Sequence, residues 1–114
     1  MLDRTEALFV IDVNTGKFVG EHQLEQTVFE TNMEAAQVIA RLLRLRDLSG
    51  IVIIDFIDMQ EEGHRRSIIQ KLEELSAYDH TKTNIAGWTR LGLGELTRKK
   101  VRQTIEGFIK ISEN

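Results

Sequence analysis

Apolar residues along this chain change their spacing several times, and each change marks an element. Ala7 to Ile11 is a short apolar, β-rich run that leads into Asp12-Val13-Asn14-Thr15-Gly16-Lys17 and then a brief second run at Phe18-Val19. This reads as a hairpin turning around Asn14 to Lys17. From Thr31 the period becomes helical. Thr31-Asn32-Met33-Glu34 fits a capping box, and Ala36, Ile39, Ala40, Leu43 and Asp47 fall on one stripe, so a helix of about four turns is expected, ending near Gly50. Ile51-Val52-Ile53-Ile54 follows without polar alternation, which predicts a central strand covered on both faces. Glu61 to Ala77 reads as a second helix with Ile68, Leu72 and Leu75 turned inward. Thr83 to Trp88 is the next strand, Leu91 to Thr97 another after a tight turn, and Val101 to Ile111 an amphipathic tail.

The expected order is therefore ββαβαββ, an α/β fold with one mixed sheet of about four to five strands and two main helices. Right-handed crossovers allow both helices on one face or one on each, and the pattern leaves that open. No proline, Gly/Ser-rich linker or fixed-period repeat interrupts the chain, so residues 1–114 read as a single domain.

Composition narrows the function. With 41% hydrophobic and 29% charged residues, the 114-residue chain can bury a core and stay in water. No apolar run approaches a bilayer span and no signal-peptide pattern opens the chain, so a cytoplasmic setting without membrane association is the expectation. There are no cysteines, so no thiolate zinc site can be built within this chain, and any metal must sit on oxygen or histidine. The net charge of −3 is unevenly spread. Acidic residues dominate the first third, whereas Lys82, Arg90, Arg98, Lys99, Lys100 and Arg102 gather near the C-terminus beside Glu95 alone. A basic stretch of this kind is either a solvated face or a path for phosphates.

Two strands end in acid, Phe9-Val10-Ile11-Asp12 and Ile53-Ile54-Asp55. Ligand sites of open α/β sheets lie at the carboxyl ends of strands, and two carboxylates gathered there repel unless a cation or proton lies between them. Mg²⁺ suits such a pair, because it takes oxygen ligands and needs only one or two protein carboxylates. Asn14, two residues beyond Asp12, shares its face if the strand stays extended, and its amide can orient a water or a carboxylate. On their own, Asp12 and Asn14 are also ordinary turn residues, and Asp55 can cap the second helix or meet Arg65. Asp58 is the better cap, standing just before Glu61 and Glu62. His22, His64 and His80 show no metal-ligand spacing and read as surface or packing residues. Trp88 reads as a partly buried anchor that could alternatively stack on a base. Gly92-Leu93-Gly94 reads as a turn, and neither it nor Thr15-Gly16-Lys17 completes a phosphate loop, which excludes a nucleotide triphosphatase.

Taken together, VIDVNTGKF (residues 10–18), TNMEAAQVIARLLRLRDLSG (31–50), IVIIDFIDM (51–59), HRR (64–66) and TRLGLGELTRKKVRQ (89–103) resemble the ribonuclease E/G family, in order and in register. The resemblance runs from about residue 5 to 105 and implies the subdomain likened to deoxyribonuclease I, part of a larger enzyme that cuts single-stranded RNA internally. It implies Mg²⁺ on Asp12 and Asp55, while the sequence itself does not decide between Mg²⁺ and Mn²⁺ as the working ion. It further implies that Asn14 helps place the attacking water or the scissile phosphate. Lys82 falls where the family often has a basic residue near the pocket for the RNA 5′-monophosphate, and Arg90, Arg98, Lys99 and Arg102 are candidates for the RNA path.

The family's upstream ribonuclease-H-like region, S1 barrel and 5′-sensor, and its downstream zinc-sharing cysteine pair, do not occur in these residues. The expected partners are single-stranded RNA, the remaining subdomains of the parent enzyme and, in that parent, a second copy. Poor activity is expected of the isolated fragment, because cleavage needs the RNA held in place. The alternative reading is a non-catalytic RNA-binding or scaffold module, in which the acids serve folding and only the basic third meets RNA.

Overall fold

The computed structural model describes residues 6–14 and 24–99. Their element order is β1 (Leu8–Asp12), α1 (Glu25–Arg46), β2 (Gly50–Asp55), α2 (Glu62–Ser76), β3 (Lys82–Trp88) and β4 (Gly94–Lys99). The strands form one mixed sheet in the order β1-β2-β4-β3, with β1 parallel to β2 and the other pairs antiparallel. The α/β class with a mixed sheet and two helices is as the sequence indicates. The expected second strand at Phe18-Val19, with most of its hairpin, and the tail from Val101 to Ile111 lie outside the described residues.

Alternation along the strands shows where the helices sit. In β2 and β4 the buried positions are Gly50, Val52, Ile54, Gly94, Leu96 and Arg98, all on one face, and they meet α1 and α2 through Ala36, Ile39, Leu43, Ile68 and Leu72. Both helices therefore cover the same face. The opposite face carries Leu8 and Val10, 61% and 66% exposed, beside the half-buried Ile51 and Ile53. The expectation of a β2 covered on both faces is corrected here. Its apolar run is continuous, but among the described residues only alternate side chains enter the core.

Helix α1 starts at Glu25, not Thr31, and runs 22 residues, well beyond four turns. Thr31 to Glu34 lie inside it, because Glu25, Val28, Phe29 and Asn32 already carry the helical period and nothing breaks it. Asn32 is fully buried, and its amide makes two bonds to the strand–helix loop: Nδ2 donates to the Ile57 carbonyl (2.8 Å) and Oδ1 accepts from the Ile57 N–H (3.1 Å). A buried amide satisfied on both atoms by one residue fixes that loop against the helix. Asp47 is not part of the inward stripe. It stands at the C-cap with φ of 51°, the left-handed geometry that Asp tolerates better than most residues.

Gly50 opens β2 with φ of 139°, and a Cβ there would meet the Ala7 carbonyl. Only glycine lets β2 approach β1 at that point. In β3 a bulge between Ile85 and Gly87 inserts one residue, so Trp88, which would otherwise share the open face with Asn84 and Ala86, pairs with the inward Gly94. Strand β4 begins at Gly94, later than Leu91, because Thr89 to Leu93 close the turn. Thr89 N–H donates to the Leu93 carbonyl (2.7 Å), and Thr89 Oγ1 accepts from the Leu91 and Leu93 amides.

Arg98 is 3% exposed and clasps three segments. Its Nε and Nη2 donate to the two carboxylate oxygens of Asp79, each at 2.8 Å, and its Nη1 donates to the Leu48 carbonyl (2.7 Å) and to Asp47 (3.2 Å). The paired guanidinium holds the Asp79 carboxyl at about 2, below its ordinary 3.8. Because the folded value is the lower one, this stabilisation is complete above pH 3.8 and is lost as pH falls towards 2. It amounts to about 2 kcal/mol. Denaturant unfolding measured from pH 5 to pH 2 should show that loss. Arg98→Ala, which leaves the buried Asp79 carboxylate its bonds from Thr81 and Thr83 but no cation, should cost roughly 3–5 kcal/mol at pH 7.

Candidate metal centre

Parallel register places the two strand-end acids side by side. Asp12 pairs with Asp55, as Leu8 pairs with Ile51 and Val10 with Ile53, so both carboxylates project from the open face at the carboxyl ends of β1 and β2. Neighbouring strands lie about 4.8 Å apart, which brings the two side chains within reach of one ion. The Asp55 carbonyl accepts from both the Val13 and the Asn14 amides, each at 3.0 Å, so the backbone of Asn14 is tied to that of Asp55. The three residues singled out in the sequence thus converge on one corner.

Asp55 is half-buried while Asp12 is exposed. Burial first, then the negative charges of Asp12 and Asp58, pushes the Asp55 carboxyl above the ordinary carboxylate range. Charge in this corner is therefore destabilised until a cation or a proton joins it. Two oxygen donors at the strand ends fit a hard divalent ion such as Mg²⁺, which draws the rest of its shell from water or phosphate. Among the described residues no group of three or more His, Asp or Glu gathers into a fuller cage.

Asp58 does not cap α2. The N-cap is Glu61, whose own side chain makes no capping bond; Glu25 of α1 instead accepts from the Gln60 (3.0 Å) and Glu61 (3.3 Å) amides. Glu25 also meets His64 Nδ1 at 2.8 Å, and the His64 ring stacks on Phe29 with centroids 4.1 Å apart. His64 is thus a packing residue, as its isolation in the sequence suggests. The cap arrives from 36 residues upstream, beyond the reach of local pattern. Asp58 stays exposed, close enough to act on Asp55, and lines a cavity of about 170 Å³ with Gln60, Arg65, Trp88 and Gly92. Sequence reasoning passed over Arg65 and Gln60 as site residues; the HRR triplet was the available signal for Arg65. The ion-pair partner of Arg65 is Glu62, at 4.0 Å, rather than Asp55.

The basic candidates do not form one surface. Lys82 and Lys99 are exposed and directly opposed on β3 and β4, at the end of the sheet away from the acids, and they flank a depression that Asn84 and Thr97 also line. From the level of Asp55 to Lys99 is roughly 20 Å along the strands. Arg90 is exposed on the β3–β4 turn. Arg98 is corrected from an RNA contact to a core clasp, because its guanidinium is buried and engaged by Asp79, Asp47 and Leu48. Arg102 lies outside the described residues.

Paired acids at the ends of two parallel strands of an α/β sheet offer oxygen donors of the kind that divalent ions take. The sequence model of the Ribonuclease E/G family matches residues 1–101, and the chain belongs to that family. It is 53% identical over 106 residues to "Ribonuclease G" of Escherichia coli, an alignment covering 93% of this chain and 22% of that protein. It is 51% identical to "Ribonuclease G" of Haemophilus influenzae over the same shares. To "Ribonuclease E" of Escherichia coli it is 41% identical over 105 residues, 92% of this chain and 10% of that protein. The chain spans about a fifth of the ribonuclease G relatives it matches.

The raised Asp55 carboxyl gives a prediction free of any ligand. Below pH 3.8 the acid is protonated folded or unfolded; as pH rises, the unfolded form ionises first and the folded state loses stability until its own higher value is passed. Asp55→Asn should therefore raise the thermal midpoint at pH 7 in the absence of divalent ions, and leave it little changed at pH 3.

Proposed function

We propose that this chain is the catalytic subdomain of a Mg²⁺-dependent endoribonuclease that cleaves single-stranded RNA by phosphodiester hydrolysis, in RNA processing or decay. The observation that carries the reading is the Asp12–Asp55 register at the strand ends. The relatives named "Ribonuclease G" and "Ribonuclease E" support it.

Asp12 and Asp55 would hold the ion, and the charge-destabilised Asp55 gains most from it. When bound there, Mg²⁺, or Mn²⁺ in its place, supplies positive charge beside the scissile phosphate and makes water a better nucleophile. Asn14, tied to Asp55 through the backbone, orients the attacking water or the phosphate by its amide. In-line attack of water on phosphorus breaks the bond to O3′, leaving a 3′-hydroxyl on one fragment and a 5′-phosphate on the other. Lys82, Lys99 and Arg90 lie on exposed ground where an RNA backbone can be met by charge.

The remaining subdomains of a parent enzyme would supply the clamp that holds RNA over this face, so the fragment alone is a weak catalyst. A second copy in that parent and a cytoplasmic setting belong to the same proposal; among the described residues no helix is long and apolar enough to cross a membrane. In a longer enzyme carrying this segment, Asp12→Ala and Asp55→Ala should each lower single-stranded RNA cleavage by about a hundredfold or more with RNA affinity retained. Unchanged cleavage would leave a non-catalytic RNA-binding module as the reading.

A further inference from the structure

The cavity between the β2–α2 loop and the β3–β4 turn lies at the same end of the sheet as the paired acids. Three features of it are not explained by folding alone. Arg65 Nε is buried and has no hydrogen-bond partner, although its neighbours include polar groups. The Arg65 side chain as a whole is 43% exposed and its ion pair to Glu62 is long at 4.0 Å, so the guanidinium keeps donors that an incoming acceptor can take. The β3 bulge turns Trp88 onto the helix-covered side, where its Nε1 donates to the Arg65 carbonyl (3.1 Å) and its ring meets Phe56 edge-on, centroids 5.6 Å apart. The indole is thus held rigid in the cavity wall and remains partly exposed. Finally, Asp58 and Gln60 line the cavity beside this cation and aromatic ring.

We infer that this cavity is a nucleotide subsite for single-stranded RNA, taking the phosphate of a residue next to the cleaved bond on Arg65 and its base against Trp88. The inference rests on the endoribonuclease reading for the identity of the ligand, and on the cavity alone for its chemistry. A planar guanidinium suits phosphate oxygens, and an immobilised indole offers a face or edge to any base. Asp58 repels a bare anion and accepts from base amino groups, and Gln60 both donates and accepts, so the cavity favours a nucleotide over inorganic phosphate. Asp58 acts on the charge of Asp55, so a nucleotide seated here lies at the same end of the sheet as the acid pair.

Trp88 is the sole tryptophan of the chain, so its fluorescence reads the subsite directly. The full chain, in EDTA to remove divalent ions, is titrated with a single-stranded RNA hexanucleotide, with adenosine 5′-monophosphate and with inorganic phosphate. Saturable quenching by the hexanucleotide and the mononucleotide, but not by phosphate, is expected. Arg65→Ala should weaken both by about tenfold, and Arg65→Lys, which keeps the charge without the fork, should fall between. An unchanged amide NMR spectrum away from the cavity checks that the variants fold. Absence of saturable quenching by either nucleotide ligand, quenching by phosphate alone, or equal affinity in wild type and Arg65→Ala would overturn the inference. Because no metal is present, these results are independent of whether Asp12 and Asp55 support cleavage, so the subsite and the catalytic reading can fail separately.

Discussion

Parallel pairing of β1 with β2 is the constraint on which this structure depends. Two parallel strands cannot be joined by a tight turn, so the chain must cross back over the sheet, and the 22-residue α1 is the crossover. The same pairing brings the carboxyl ends of both strands to one edge and sets Asp12 level with Asp55. An antiparallel arrangement would have sent the two acids to opposite ends of the sheet. Fold and candidate chemistry therefore share one cause, the register that Gly50 permits by letting β2 pass close to Ala7.

The crossover helix also organises the segment between β2 and α2. Asn32 grips the Ile57 backbone from within the core, and Glu25 closes the first turn of α2 while pairing with His64. Between those two anchors the chain displays Asp58, close to the acid pair. At the far side of the sheet, the Arg98–Asp79 clasp joins β4 to the loops after α1 and α2. Polar groups inside the fold thus fix loops, while those at the strand ends carry unbalanced charge. That division separates the acids used for folding, Glu25 and Asp79, from those available for a ligand, Asp12 and Asp55.

Local periodicity made much of this legible. Ile68 and Leu72 face inward as their spacing requires, β3 and α2 fall within one residue of their expected limits, and the strand-ending acids meet. What stayed hidden depends on contacts far apart in sequence. Nothing around Asp58 reveals that Glu25 already serves the helix it precedes, and nothing in the basic run distinguishes Arg98, drawn inward by Asp79, from the exposed Lys82 and Lys99. The apolar run of β2 suggested two covered faces because composition cannot tell a buried face from an apolar open one. The bulge in β3 was equally silent, since Ala86-Gly87 is compatible with regular pairing until the partner strand is known.

Asp12 and Asp55, level at the ends of β1 and β2, are proposed as a preformed half-site for a divalent ion. The measurement that addresses it most directly is a Mg²⁺ titration of the chain followed by NMR, reading the amides of Asp12, Asn14 and Asp55 in the native protein and in Asp12→Asn. Saturable shifts confined to that corner, and absent in the variant, are what the register predicts. No shifts there, or shifts that persist unchanged in Asp12→Asn, would contradict it.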